Sequence, residues 1–66
     1  MSEVIQQLGS QIAYYRKKAG LTQSALAEKI SVSTQAVSRW ERGGAPDAAI
    51  LPTLASALHV TIDQLY

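Results

Sequence analysis

The sequence predicts an all-α fold, a compact bundle of five helices with no strand. Two observations carry that prediction. Apolar residues recur at helical spacing in several segments. The segments between them are short and begin or end in capping residues, so consecutive helices must pack closely. A chain of 66 residues holds one domain at most. A domain this short buries only about 60% of the surface its unfolded chain exposes, which argues against a deep cleft between two lobes.

The first helix is expected near residues 4–19, loosely formed before Gly9. Leu8, Ile12, Tyr15 and Ala19 make its buried stripe, at spacings of four, three and four. Lys17 and Lys18 suit the negative end of its dipole, and Gly20 stops it. Thr22 caps a second helix, about 23–30, whose buried side is Leu26, Ala27 and Ile30. After a three-residue turn, Ser33 caps a third helix, about 34–42, that Gly43 and Gly44 end. "GGAPD" is the longest loop, and Asp47 is placed to cap the next element. Pro52 cannot sit deep in a helix, so a short turn at 47–50 precedes the main fourth helix, about 51–58, with His59 at its exit. Thr61 caps a last short helix, 62–65.

Composition narrows the function. There is no cysteine, hence no disulfide framework and no thiolate metal site. His59 is the single histidine, too few for a metal cluster or a catalytic triad, and the acids and bases form no paired carboxylates and no phosphate cradle. No enzymatic activity, metal or cofactor is expected. The uncharged run from Ala48 to Ile62 is shorter than the ~20 residues of a membrane span and contains Pro52. The start "MSEVIQQLG" lacks the basic and apolar regions of a secretory signal. A cytoplasmic protein is expected. The net charge of +1 is weak support for a nucleic-acid partner, so the placement of the charges matters more than their sum.

The informative stretch is "VSTQAVSRWERG", residues 32–43. As a helix it has two faces. Ala36, Val37 and Trp40 fall on one side; Thr34, Gln35, Ser38, Arg39 and Arg42 span roughly 140° of the other, at about 100° per residue. The polar side has little carbon to bury and many hydrogen-bonding groups. Trp40 is assigned to the core by its spacing from Val37, and Tyr15 likewise, whereas Tyr14 points outward.

Helix, three-residue turn, helix is a helix-turn-helix pattern, which many α proteins contain. The residues here say more. "LTQSALAEKI", "VS", "QAVSRWERG" and "LPTLASAL", with "VTIDQLY" after them, closely resemble the Cro/repressor-type (XRE-like) helix-turn-helix family over Leu8 to Leu65. The resemblance implies a five-helix domain of the phage-repressor type. It implies sequence-specific binding of palindromic operator DNA, usually as a homodimer, in a transcriptional regulator, here expected to be a repressor. The domain is expected to span 1–66, either complete or as the N-terminal part of a longer regulator.

The polar face then has a use, because a major groove about 12 Å wide admits one helix. Gln35 carries the amide that pairs bidentately with adenine, and Arg39 the planar fork that suits guanine. Thr34 and Ser38 are placed for a thymine methyl or a base-edge acceptor. By resemblance, Gln23 matches the family glutamine that bonds a backbone phosphate, and Thr22, Ser33 and Arg42 match flanking phosphate contacts. The family pattern also joins Arg16 and Glu41 by an ion pair. Without that pattern, such a face is ordinarily just solvated and such charges independent.

Two departures stand out. Ser31 occupies a turn position where the family often has glycine or asparagine; a left-handed backbone there costs serine about 1–2 kcal/mol. The loop "GGAPDAA" holds no base, so its grip on phosphate should be thin, and two copies are expected per site. The second copy is expected to dock on the C-terminal end, through Leu65 and Tyr66, while Val60 and Ile62 close the bundle. The alternatives are a protein-interaction module on the same scaffold, which the modest charge favours, and the DNA-binding part of an antitoxin.

Overall fold

Five helices form at the predicted places. In a computed structural model, residues 2–65 are described, with their side chains from residue 8 onward. The helices are α1 (Ser2–Lys18), α2 (Gln23–Lys29), α3 (Thr34–Glu41), α4 (Leu51–Leu58) and α5 (Ile62–Leu65), with a 3₁₀ turn at Ala48–Ile50 just before α4. The described residues contain no strand. No helix among them is long and apolar enough to cross a membrane.

The deepest core draws on every helix. Ile12 of α1, Leu26 of α2, Val37 of α3, Leu54 of α4 and Leu65 of α5 are the largest side chains removed from solvent entirely. Burying each contributes about 1.5–3 kcal/mol, so every helix is tied to one common centre. Trp40, Leu8, Ile30, Leu51 and Leu58 extend this core, and Tyr15 and Val60 lie half-buried against it.

Four helices end the same way. Each is followed by a residue of positive φ, and the next amide reaches back over five residues: Leu21 to Arg16, Val32 to Ala27, Gly44 to Arg39 and Val60 to Ala55. This is the Schellman closure, which satisfies carbonyls the helix leaves free. Gly20 and Gly43 take the positive φ without strain, but Ser31 (φ 62°) and His59 (φ 60°) carry a Cβ there. Pro52 lies in the first turn of α4, where its missing N–H is no loss.

Three expectations are corrected. α1 begins at Ser2, two residues earlier than expected. Asp47 makes no side-chain cap; the turn closes instead through its carbonyl, which accepts from the Ile50 amide at 3.0 Å. The third correction concerns the C-terminal end. Leu65 is wholly buried, so it cannot meet a partner, while Ile62, expected to close the bundle, is 38% exposed. The cause is how α5 starts. Thr61 and Gln64 form a reciprocal capping box: Gln64 N donates to Thr61 Oγ1, and Thr61 N donates to Gln64 Oε1. Gln11 of α1 then donates to the Gln64 carbonyl at 3.1 Å. Held at both points, the single turn directs Leu65 inward. Tyr66 lies outside the described residues.

Candidate nucleic-acid interface

The interface is built on α2, its turn and α3. Thr22 Oγ1 accepts from the Ala25 amide at 3.0 Å, and Ser33 Oγ accepts from the Ala36 amide at 3.1 Å. Each hydroxyl therefore caps a helix with its oxygen and keeps its own O–H free. Both residues are exposed, so the two roles assigned to them are compatible: cap inward, donor outward. The turn between the helices is the strained Schellman closure at Ser31, with Val32 packed on the core behind it.

α3 packs on α2 and α1. Its seat on α1 has two parts. At Gly9, a Cβ would stand 2.4 Å from the Trp40 carbonyl oxygen, so the end of α3 lies directly on the α1 backbone. Further along α1, the side chain of Arg16 meets Glu41. Arg16 Nε donates to Glu41 Oε2 at 2.6 Å and Nη2 to Oε1 at 3.2 Å, a bidentate pair with both side chains about 10% exposed. Arg16 Nη1 also donates to the Leu21 carbonyl at 2.7 Å, which ties in the connection to α2.

Gln23 closes this network, which spacing alone does not reveal. Its Nε2 donates to Glu41 Oε1 at 3.0 Å. Burial pushes the Glu41 carboxyl up, but the hydrogen bonds from Arg16 and Gln23 and the charges of Arg16 and Lys17 outweigh it and hold it below its ordinary value. The carboxylate therefore stays ionised and fixes the Gln23 amide. One proton of that amide is used; the other is free to donate outward. Gln23 is thus both a brace and a half-exposed donor at the start of α2.

The other predicted residues fall on one face. Thr34, Gln35, Arg39 and Arg42 are exposed or half-exposed, as is Ser38, while Val37 and Trp40 point into the core. Arg42 follows α3 as its cap residue. Two further residues belong to this surface. Ser24, in the first turn of α2, lies 3.3 Å from Thr34, hydroxyl to hydroxyl. Gly44 lies under the stem of Arg39: a Cβ there would stand 2.7 Å from Arg39 Cγ. The sequence marks Gly44 as a helix stop and carries no signal for that contact.

Geometry and sequence comparison agree. Residues 12–65 match the HTH_3 helix-turn-helix family model, and the chain belongs to that family. It is 43% identical over 51 residues to the HTH-type transcriptional activator BcrR of Enterococcus faecalis. The match covers 76% of this chain and 25% of that protein, so the chain corresponds to about a quarter of the relative's length. Among solved structures, the restriction-modification controller protein C.AhdI from Aeromonas hydrophila superposes with a TM-score of 0.88 at 24% identity, over 100% of both chains. An HTH_3 family transcriptional regulator from Vibrio cholerae gives 0.86 at 29% identity, over 97% of this chain and 36% of its own. The clp gene regulator ClgR from C. glutamicum gives 0.85 at 27% identity, over 94% and 82%.

Proposed function

We propose that this chain is the DNA-binding domain of a transcription regulator and reads an operator with α3 in the major groove. One observation carries the reading. The outward face of α3 presents Thr34, Gln35, Ser38 and Arg39 together, while its inner face, Gly9 and the Arg16–Glu41 pair hold the helix rigidly on the bundle. Gln35 pairs with adenine, Arg39 with guanine, and Thr34 and Ser38 meet a thymine methyl or a base-edge acceptor. Thr22, Gln23, Ser33 and Arg42 bond phosphates on either side and set the register.

The site is palindromic and is held by two copies. The domain carries one reading helix, α3, while successive major-groove faces lie roughly 34 Å apart. One domain therefore spans one half-site. With Leu65 buried, Ile62, a large exposed apolar side chain of α5, supports a contact between copies at that helix. Bound over a promoter, such a pair blocks it and acts as the expected repressor. The same geometry beside a promoter supports activation, as named for the Enterococcus faecalis relative.

Selection of bound duplexes from a random pool tests this. The expected result is an enriched palindrome with half-sites one helical turn apart. Binding with no enriched sequence would contradict base reading. No retention of any duplex at low salt would hand the chain to the protein-interaction alternative.

A further inference from the structure

On the flank of α1 away from α3, a cleft of about 330 Å³ opens between α1, the end of α4 and α5. Its floor is apolar, from Tyr15, Ala19, Leu58 and Val60, and Lys18, His59 and Gln64 stand around it. The lining includes a cation and free amide protons. Lys18 makes no ion pair among the described residues; its ammonium lies 5.6 Å from the centre of the Tyr14 ring. Gln64 uses its Oε1 in the capping box, which leaves its Nε2 protons free. His59 adds an imidazole, held there by the left-handed backbone at the end of α4. Among the described residues no carboxylate lines the cleft. A cation and amide protons over an apolar floor complement an anion with an apolar body.

The geometry points to a binding site for a small organic carboxylate, its charged head at Lys18 and Gln64 and its apolar part on Tyr15 and Leu58. The site is independent of the DNA-reading face. Tyr15 and Lys18 occupy one flank of α1, and Gly9 and Arg16, which seat α3, occupy the other. A ligand there bears on the same helix that carries the reading helix.

Amide-detected NMR titration of the whole chain decides this. The probes are acetate, hexanoate and benzoate, each against its neutral amide, at millimolar concentrations. Hexanoate or benzoate should shift resonances of residues 15–19, 58–60 and 64, and the amides should bind about tenfold more weakly. Lys18→Met, which keeps the stem and removes the charge, should weaken the carboxylates about tenfold and lower the melting temperature by at most a few degrees, the loss of a cation at a helix C-terminus. Three results would each overturn the site: no localised shift with any carboxylate, equal shifts with the amides, or carboxylate binding indifferent to Lys18→Met. None of them touches the reading of DNA by α3.

Discussion

The α-carbon of Gly9 lies against the Trp40 carbonyl, so closely that a Cβ would stand 2.4 Å from its oxygen and 3.1 Å from that of Glu41. The atoms in the way are backbone, which cannot rotate aside. An exposed helical glycine gains about 1 kcal/mol when changed to alanine. Here the methyl group must push α3 off α1, at about 1–3 kcal/mol. Gly9→Ala should therefore lower the denaturant midpoint and disturb Trp40 fluorescence. A rise in stability would show that the two helices stand further apart.

Arg16 and Glu41 should behave as one unit. Removing either partner leaves a largely buried charge alone, so Arg16→Met and Glu41→Leu should each cost about 2–3 kcal/mol. The double variant should recover part of that loss, and strictly additive costs would sink the coupling. The pair also sets an acid limit. Because Glu41 titrates below its ordinary 4.5 when folded, its contribution is complete above that pH and is lost as pH falls through the lowered value. In Glu41→Gln that part of the acid unfolding curve should flatten.

Ser31 and His59 hold a left-handed backbone at φ 62° and 60°. Glycine relieves that strain but gives the unfolded chain more freedom, so Ser31→Gly and His59→Gly should each stabilise by up to about 1 kcal/mol. Thermal unfolding of the two variants reads this. A loss of stability in both would mean that their side chains make contacts worth more than the strain.

The reading face carries few charges: Arg39 and Arg42 are its bases, and the rest is hydroxyl and amide. With Arg39 on a base, Arg42 alone neutralises phosphate, so the salt dependence of DNA affinity should be shallow, a log–log slope of about −1 per domain and about −2 for the pair. Fluorescence anisotropy over a salt series measures it. A much steeper slope would place further lysines on the phosphates.

The helices and the two faces of α3 are legible in the sequence because periodicity and caps are local signals. Leu8 and Ile12, Thr22 and Ser33 state their roles within one turn of chain. The Arg16–Glu41 pair is legible only through family resemblance, since 25 residues separate its members. The features that stay hidden depend on tertiary approach. Gly9 reads as a weak point in a helix until α3 is placed against it, and Gly44 reads as a stop until Arg39 folds over it. The direction of Leu65 escapes the sequence because apolar content cannot say which way a single turn faces; its capping box and the Gln11 bond decide that.

The central claim is that α3 reads bases, and Arg39 tests it most directly. Arg39→Ala should leave the fold intact, since the residue lies outside the core, and should cost about 1–3 kcal/mol on the selected site. The measurement is affinity of the wild type and Arg39→Ala for the selected duplex and for every single-base variant of one half-site. The account predicts that discrimination disappears at one base pair and persists at the others. Equal weakening on every duplex would show that Arg39 meets only phosphate, and undiminished affinity would take the outer face of α3 out of the groove.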